Sequence, residues 1–228
     1  MTYECFLFDL DHTLLDSDES ERLAFRDTMR FGGIEDPDRW MPHYLEINRA
    51  LWKRVEAGEL RPQQVRVMRF EQLAAHTSLS RSPEELGERF AAGLGGFGEL
   101  YPGARELLDD LARRGITMAL VTNGLSEVQR ARIERLELDR YFTAVTISAE
   151  AGISKPDPAF FLQTMDALGS PSSTATVVVG DSQSADVAGA HAAGLDACWY
   201  NPTGALSVLS PPPRHVARTF AEIAALAS

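Results

Sequence analysis

Read as apolar and polar positions, the chain changes texture twice. Residues 3–8 form a short apolar run, rich in aromatics, that stops abruptly at polar residues. That is the pattern of a strand buried in a parallel sheet. Residues 16–96 then place apolar side chains at helical spacing and contain no convincing strand. Asp18, Glu19 and Glu21 make an acidic start for a helix that runs to about Phe31, where Gly32 and Gly33 stop it. Asp36-Pro37 starts a second, with Trp40, Tyr44, Ile47, Leu51, Trp52 and Val55 on one face, ending at Gly58. A third covers 62–76, and Ser82-Pro83-Glu84-Glu85 is a capped start for a fourth.

From Tyr101 onward strands and helices alternate. Helices are expected at 104–114, 126–136, 158–168 and 185–193, and strands at 116–121, 144–147, 176–179 and 195–200. After a stiff turn at Pro211-Pro212-Pro213, residues 215–218 suggest an edge strand and 220–226 a closing helix. Such alternation implies a parallel sheet with right-handed crossovers. The opening strand has no partner before this region. The expected architecture is therefore α/β: a Rossmann-like parallel sheet flanked by helices, built from 1–15 and 97–228, with an all-helical cap domain, 16–96, inserted after strand 1.

Gly93-Leu94-Gly95-Gly96-Phe97-Gly98 has the G-x-G-x-x-G spacing of a dinucleotide site. That fingerprint needs a strand before it and a helix directly after. Here a helix precedes and Leu100-Tyr101-Pro102-Gly103 follows, so the glycines read as a flexible linker. With Gly32-Gly33 they would let the inserted helical segment move.

Charge narrows the function. The 228 residues carry a formal net charge of -11, which argues against nucleic-acid polymers and anionic membranes as partners. No apolar run approaches the roughly 20 residues that span a bilayer. The N-terminus has no basic-then-apolar leader pattern, so a cytoplasmic setting is expected. The two cysteines, Cys5 and Cys198, fall in expected strands and read as buried free thiols. Oligomeric state is not legible.

The candidate chemistry sits where expected strands end. Asp9 and Asp11 are two residues apart and can point the same way past the first strand. That edge is where open α/β sheets bind ligands. Two carboxylates held there repel each other unless a cation or partner joins them. Thr122-Asn123-Gly124 follows the strand at 116–121. Ser154-Lys155-Pro156-Asp157-Pro158 precedes a helix, and Gly180-Asp181-Ser182 with Asp186 follows the strand at 176–179. Taken singly these are a turn, a surface lysine and a helix-start carboxylate. Parallel strands bring them to one edge.

In this order and context, D-x-D-x-T, the strand-ending Thr, the isolated Lys and G-D-x-x-x-x-D resemble the haloacid-dehalogenase-like phosphohydrolase superfamily, over the whole chain. The resemblance implies that Asp9 is a nucleophile forming an aspartyl-phosphate, and that Asp11 protonates the leaving group and then deprotonates water. It implies Mg²⁺ held by Asp9, the Asp11 backbone carbonyl and Asp181, with Asp186 supporting it through water. Thr122 and the Asn123 amide would bind phosphoryl oxygens, and Lys155 would pair with Asp9 and the phosphate. Metal and lysine together would let an acidic protein accept an anion. Haloacid dehalogenases lack an aspartate at the position of Asp11, so its presence favours phosphoryl transfer.

A finer likeness involves Tyr44 to Trp52, Gly58-Glu59-Leu60, Thr122-Asn123-Gly124, Ile147-Ser148-Ala149-Glu150 and Ala197-Cys198-Trp199-Tyr200-Asn201. These are similar to a bacterial branch of pyrimidine 5′-nucleotidases. The implied partner is a small phosphate monoester, a nucleoside 5′-monophosphate, with Asn48 or Arg49 on the base and Trp52 or Trp40 stacked against it. Alternatives are a phosphatase for phosphoglycolate or a sugar phosphate, a phosphomutase, and a non-catalytic binding module. For the cap residues the alternative is structural: Trp52 packs the cap and Asn48 faces solvent. Trp199 reads as core packing.

Overall fold

The computed structural model describes residues 2–228. Its strands are β1 (Cys5–Phe8), β2 (Thr117–Thr122), β3 (Ala144–Ile147), β4 (Thr176–Gly180), β5 (Asp196–Tyr200) and β6 (His215–Ala217). Its helices are α1 (Ser17–Phe31), α2 (Met41–Glu56), α3 (Pro62–Ala74), α4 (Pro83–Gly96), α5 (Ala104–Arg113), α6 (Ser126–Arg135), α7 (Ser148–Ala151), α8 (Pro158–Ala167), α9 (Ala188–Ala192) and α10 (Phe220–Ala224). The chain divides into two compact units. One holds the chain through Asp16 with Leu100–Asn123 and Leu136–Ser228; the other holds Ser17–Glu99 and Gly124–Arg135.

The first unit is an α/β layer structure. All strand pairings are parallel and the order is β3-β2-β1-β4-β5-β6. The strands are apolar because both faces are buried: Phe6, Phe8, Met118, Leu120, Val177 and Val179 on one, and Cys5, Leu7, Ala119, Val121, Val178 and Ala197 on the other, which pack with Phe160, Phe161 and Met165 of α8. Strand β1 is shorter than the apolar run 3–8. The reason is at the chain ends: the Tyr3 N–H donates to the Leu226 carbonyl and the Ser228 N–H to the Tyr3 carbonyl, which removes Tyr3 from the ladder. Cys5 and Cys198 are buried free thiols. The order reverses between β1 and β4, since β2 and β3 extend one way and β5 and β6 the other. Phe8 lies opposite both Leu120 and Val179, so the next residues of all three strands emerge on one edge at this switch point.

The second unit is helical. Phe25, Tyr44, Phe70 and Phe90 form its centre, with Phe25 and Tyr44 ring centroids 4.5 Å apart. Before α2 the residues Pro37–Trp40 form a separate 3-10 turn. Pro42 lacks the N–H that would continue one helix through both, so α2 starts afresh at Met41. Ser82 caps α4 as its sequence suggests. Its Oγ accepts from the Glu85 N–H at 3.2 Å, and the Glu85 carboxylate accepts from the Ser82 N–H at 3.0 Å.

Three of the glycines in 93–98 are helical where their sequence suggests a flexible linker. Gly93, Gly95 and Gly96 form the last turn of α4. A Cβ on Gly93 would lie 2.9 Å from the Ala24 Cβ of α1, and one on Gly95 would lie 2.8 Å from the Ala131 Cβ of α6. Small residues are needed there so that helices can approach. Helix α6, expected from its strand–helix context to belong with the sheet, groups by its contacts with the helical unit. Its Arg132 is buried and donates to the Leu94 carbonyl at 2.9 Å and to Ser20 Oγ at 3.2 Å. No helix among the described residues is long and apolar enough to cross a membrane.

Candidate active site

Asp9 is the first residue beyond β1. Its N–H still donates to the Val179 carbonyl at 2.9 Å, which fixes it beside β4, and its side chain is buried. The chain then turns tightly, with the N–H groups of Leu14 and Leu15 converging on the Leu10 carbonyl at 3.0 and 2.9 Å. His12 takes a left-handed conformation, φ 61°, within this turn. Asp11 is half-buried in the same turn. The turn returns Thr13 to Asp9: its hydroxyl donates to Asp9 Oδ2 at 3.0 Å and accepts from the Asp181 N–H at 3.0 Å. The T of D-x-D-x-T therefore ties the ends of β1 and β4 together.

Asp181 follows β4, and Asp186 lies one turn later, in a π-helical turn, Gln183–Val187, that precedes α9. The expected helix at 185–193 thus begins with a wider turn. Ser182 Oγ accepts from the Ala185 N–H at 3.1 Å, and Asp186 Oδ2 accepts from the Ser182 N–H at 3.0 Å. Gly180 is required here, because a Cβ would lie 2.2 Å from the Asp186 carboxylate carbon.

Lys155 is buried, and its Nζ donates at 2.6 Å to Asp9 Oδ1 and at 2.6 Å to Asp186 Oδ1. The pairing with Asp186 was not apparent from sequence. Asn123, directly after β2, holds the lysine's backbone from both sides. Its Oδ1 accepts from the Lys155 N–H and its Nδ2 donates to the Lys155 carbonyl, both at 3.0 Å. Thr122, the last residue of β2, is fully buried on the same edge of the sheet. The structure therefore brings Asp9, Lys155, Asp181 and Asp186 into one cluster, with Thr122 and Asn123 at the end of the neighbouring strand. Trp199 is buried in the core, as read from sequence, but it also does something that reading missed: its indole N–H donates to the Asp181 carbonyl at 2.7 Å.

The electrostatics of this cluster are one-sided. Oxygens of Asp9, Asp181 and Asp186 lie within 4.8 Å of one another, against the single ammonium of Lys155. Burial, reinforced by Asp186 and Asp181, holds the Asp9 carboxyl well above the usual range although Lys155 pulls it down. Burial and then Asp186 push Asp181 up to about 6. Burial alone would lower the Lys155 ammonium, but Asp186 and Asp9 outweigh it and keep it charged. Even with His12 also pulling Asp181 down, three clustered carboxylates beside the Lys155 ammonium are short of positive charge. An oxygen-only donor set of this kind fits a hard divalent cation such as Mg²⁺.

The cap candidates belong to α2 of the helical unit. Asn48 does not face solvent. It is buried, and its Nδ2 donates to Glu21 Oε1 at 2.6 Å, an oxygen it shares with the Tyr44 hydroxyl at 2.7 Å. Arg49 is exposed. Trp52 is half-buried and packs against Leu51, Val55, Leu60 and Val65.

Residues 3–194 match the haloacid dehalogenase-like hydrolase family. The chain is 35% identical over 202 residues to the pyrimidine 5′-nucleotidase PynA of Streptococcus pneumoniae, spanning 89% of this chain and 85% of the relative. It is 30% identical over 204 residues to the pyrimidine 5′-nucleotidase YjjG of Escherichia coli, spanning 88% and 87%. Among solved structures, the magnesium-bound HAD-hydrolase YfnB of Bacillus subtilis superposes with a TM-score of 0.88 at 29% identity, covering 98% of this chain and 97% of that one.

Proposed function

The chain belongs to the haloacid dehalogenase-like hydrolases and is a phosphoric monoester hydrolase, and we propose that it cleaves pyrimidine nucleoside 5′-monophosphates through an aspartyl-phosphate on Asp9. The observation that carries the chemical part is the setting of Asp9, one oxygen held by Lys155 and the other by Thr13 at the sheet's switch point. The pyrimidine part is supported by the relatives' substrates and by the likeness of the segments named above.

In the first step an Asp9 oxygen attacks phosphorus in line, and the bond from phosphorus to the ester oxygen breaks. Asp11 donates its proton to the departing oxygen, which leaves as the nucleoside alcohol. In the second step water attacks the same phosphorus and gives a proton to Asp11. The bond to Asp9 breaks, releasing inorganic phosphate and restoring the carboxylate. Lys155 balances charge on Asp9 and on the phosphoryl oxygens, while the Thr122 hydroxyl and the Asn123 N–H orient those oxygens. Asp9, Asp181 and the Asp11 carbonyl, with Asp186 in support, would hold a Mg²⁺, which when bound would supply further positive charge for the transferring group. The helical unit is assigned the choice of leaving group, through Asn48, Arg49 and Trp52. Of these Arg49 can meet a ligand without repacking.

The test is phosphate release with Mg²⁺ across pyrimidine and purine monophosphates, sugar phosphates and phosphoglycolate. Pyrimidine monophosphates should give the highest kcat/KM, and Asp9→Asn should lower it by about 10³-fold or more. Equal or higher kcat/KM on a sugar phosphate or phosphoglycolate would overturn the substrate assignment. Activity retained by Asp9→Asn would overturn the role of Asp9.

A further inference from the structure

We propose that Trp199 is a positioning residue for the metal-binding carboxylate of Asp181, an inference that rests on the hydrolase reading above. Trp199 lies on β5 opposite Gly180, the last residue of β4. Asp181 comes next, where the pairing of β4 with β5 has ended. Two side chains take over from the ladder at this point. Thr13 Oγ1 accepts from the Asp181 N–H at 3.0 Å, and the Trp199 indole N–H donates to the Asp181 carbonyl at 2.7 Å. Both backbone polar groups of the residue are thus held, one from the β1 turn and one from β5.

Packing alone does not call for tryptophan here. The core cluster around Trp199 is built of Leu7, Val121, Val178, Phe161 and Leu195, and an apolar ring would suit it. A buried indole N–H is costly unless it finds an acceptor. It finds one on the residue whose carboxylate faces Asp9 and Asp186. Fixing that backbone fixes the direction of the carboxylate, and partners that orient metal ligands are worth a substantial share of metal affinity. Thr13 is anchored to Asp9 as well as to Asp181, so it ties the two ligands to each other. Trp199 ties Asp181 to the sheet.

The test is calorimetric titration of Mg²⁺ alone into the purified full chain, comparing the unmodified protein, Trp199→Phe and Leu195→Ala. Phenylalanine keeps an apolar ring and removes the N–H. Leu195 sits in the same core cluster and is buried, so its truncation loosens the packing without removing the hydrogen bond. Trp199→Phe should bind Mg²⁺ about 10-fold more weakly. The same shift should appear in the Mg²⁺ concentration for half-maximal activity, with kcat at saturating Mg²⁺ little changed. Leu195→Ala should lower thermal stability but leave Mg²⁺ affinity within about twofold. Unchanged affinity in Trp199→Phe would overturn the proposal, and so would an equal loss in Leu195→Ala, which would make the effect one of packing. If the unmodified protein binds no Mg²⁺, the metal assignment itself fails before either variant is considered.

Discussion

Asp181 carries two opposed demands. In the proposed site its carboxylate must be ionised to hold a cation, yet burial and the neighbouring Asp186 push its carboxyl from the ordinary 3.8 up to about 6. Without a cation the folded chain therefore keeps a proton that the unfolded chain has released. Where the unfolded state binds fewer protons, stability falls as pH rises. The metal-free protein should lose stability between about pH 4 and about pH 6 on this account, and Mg²⁺ should restore it at neutral pH. Asp181→Asn removes the charge. In a chelator at pH 7 it should be more stable than the unmodified protein by about 1–2 kcal/mol, read from urea midpoints, while its phosphatase activity is lost. A less stable Asp181→Asn under those conditions would contradict the reading of the cluster. That Asp9, Asp181 and Lys155 meet at one sheet edge was legible because each follows a strand or precedes a helix. Their supports were not. Asn123 holds the backbone of a residue 32 positions away, and Trp199 the carbonyl of one 18 positions away. Neither spacing leaves a local signature.

At the scale of elements, the glycines ending α4 separate two physical roles for one residue type. Gly93 lies against α1, where a Cβ would come within 2.9 Å of the Ala24 Cβ and 3.1 Å of its Cα. Gly96, one turn on, has open space where its Cβ would be. Alanine favours a helix over glycine by about 1 kcal/mol, so a linker reading and a packing reading predict different signs. Gly96→Ala should stabilise the chain by about 0.5–1 kcal/mol. Gly93→Ala should instead destabilise it by about 1–3 kcal/mol, because the backbone of α1 must move. Denaturation midpoints decide it. Equal, small effects at both positions would favour a loose linker. Capping was readable in advance at Ser82 and Glu85, where local hydrogen bonds decide the outcome. Close packing between helices distant in sequence was not, and the same limit explains why α6 reads as a sheet-flanking helix yet groups with α1 and α4.

For the whole molecule, a sheet order that reverses between β1 and β4 gathers the ends of three strands at one edge. The alternation of strands and helices along the chain was enough to foresee that convergence, since parallel strands share their carboxyl edge. It could not foresee how charge is balanced there, because Lys155 approaches from a loop before α8 and divides itself between Asp9 and Asp186. On the proposed reading, an acidic chain would accept an anionic ester through the Lys155 ammonium and a cation held by clustered carboxylates. The central claim is that Asp9 itself receives the phosphoryl group. It is tested most directly by rapid acid quench during turnover of a pyrimidine monophosphate, followed by peptide mass spectrometry. The account predicts one phosphoryl adduct on Asp9, absent from Asp9→Asn. Steady product formation with no adduct, or an adduct on Asp11, Asp181 or Asp186 instead, would contradict it.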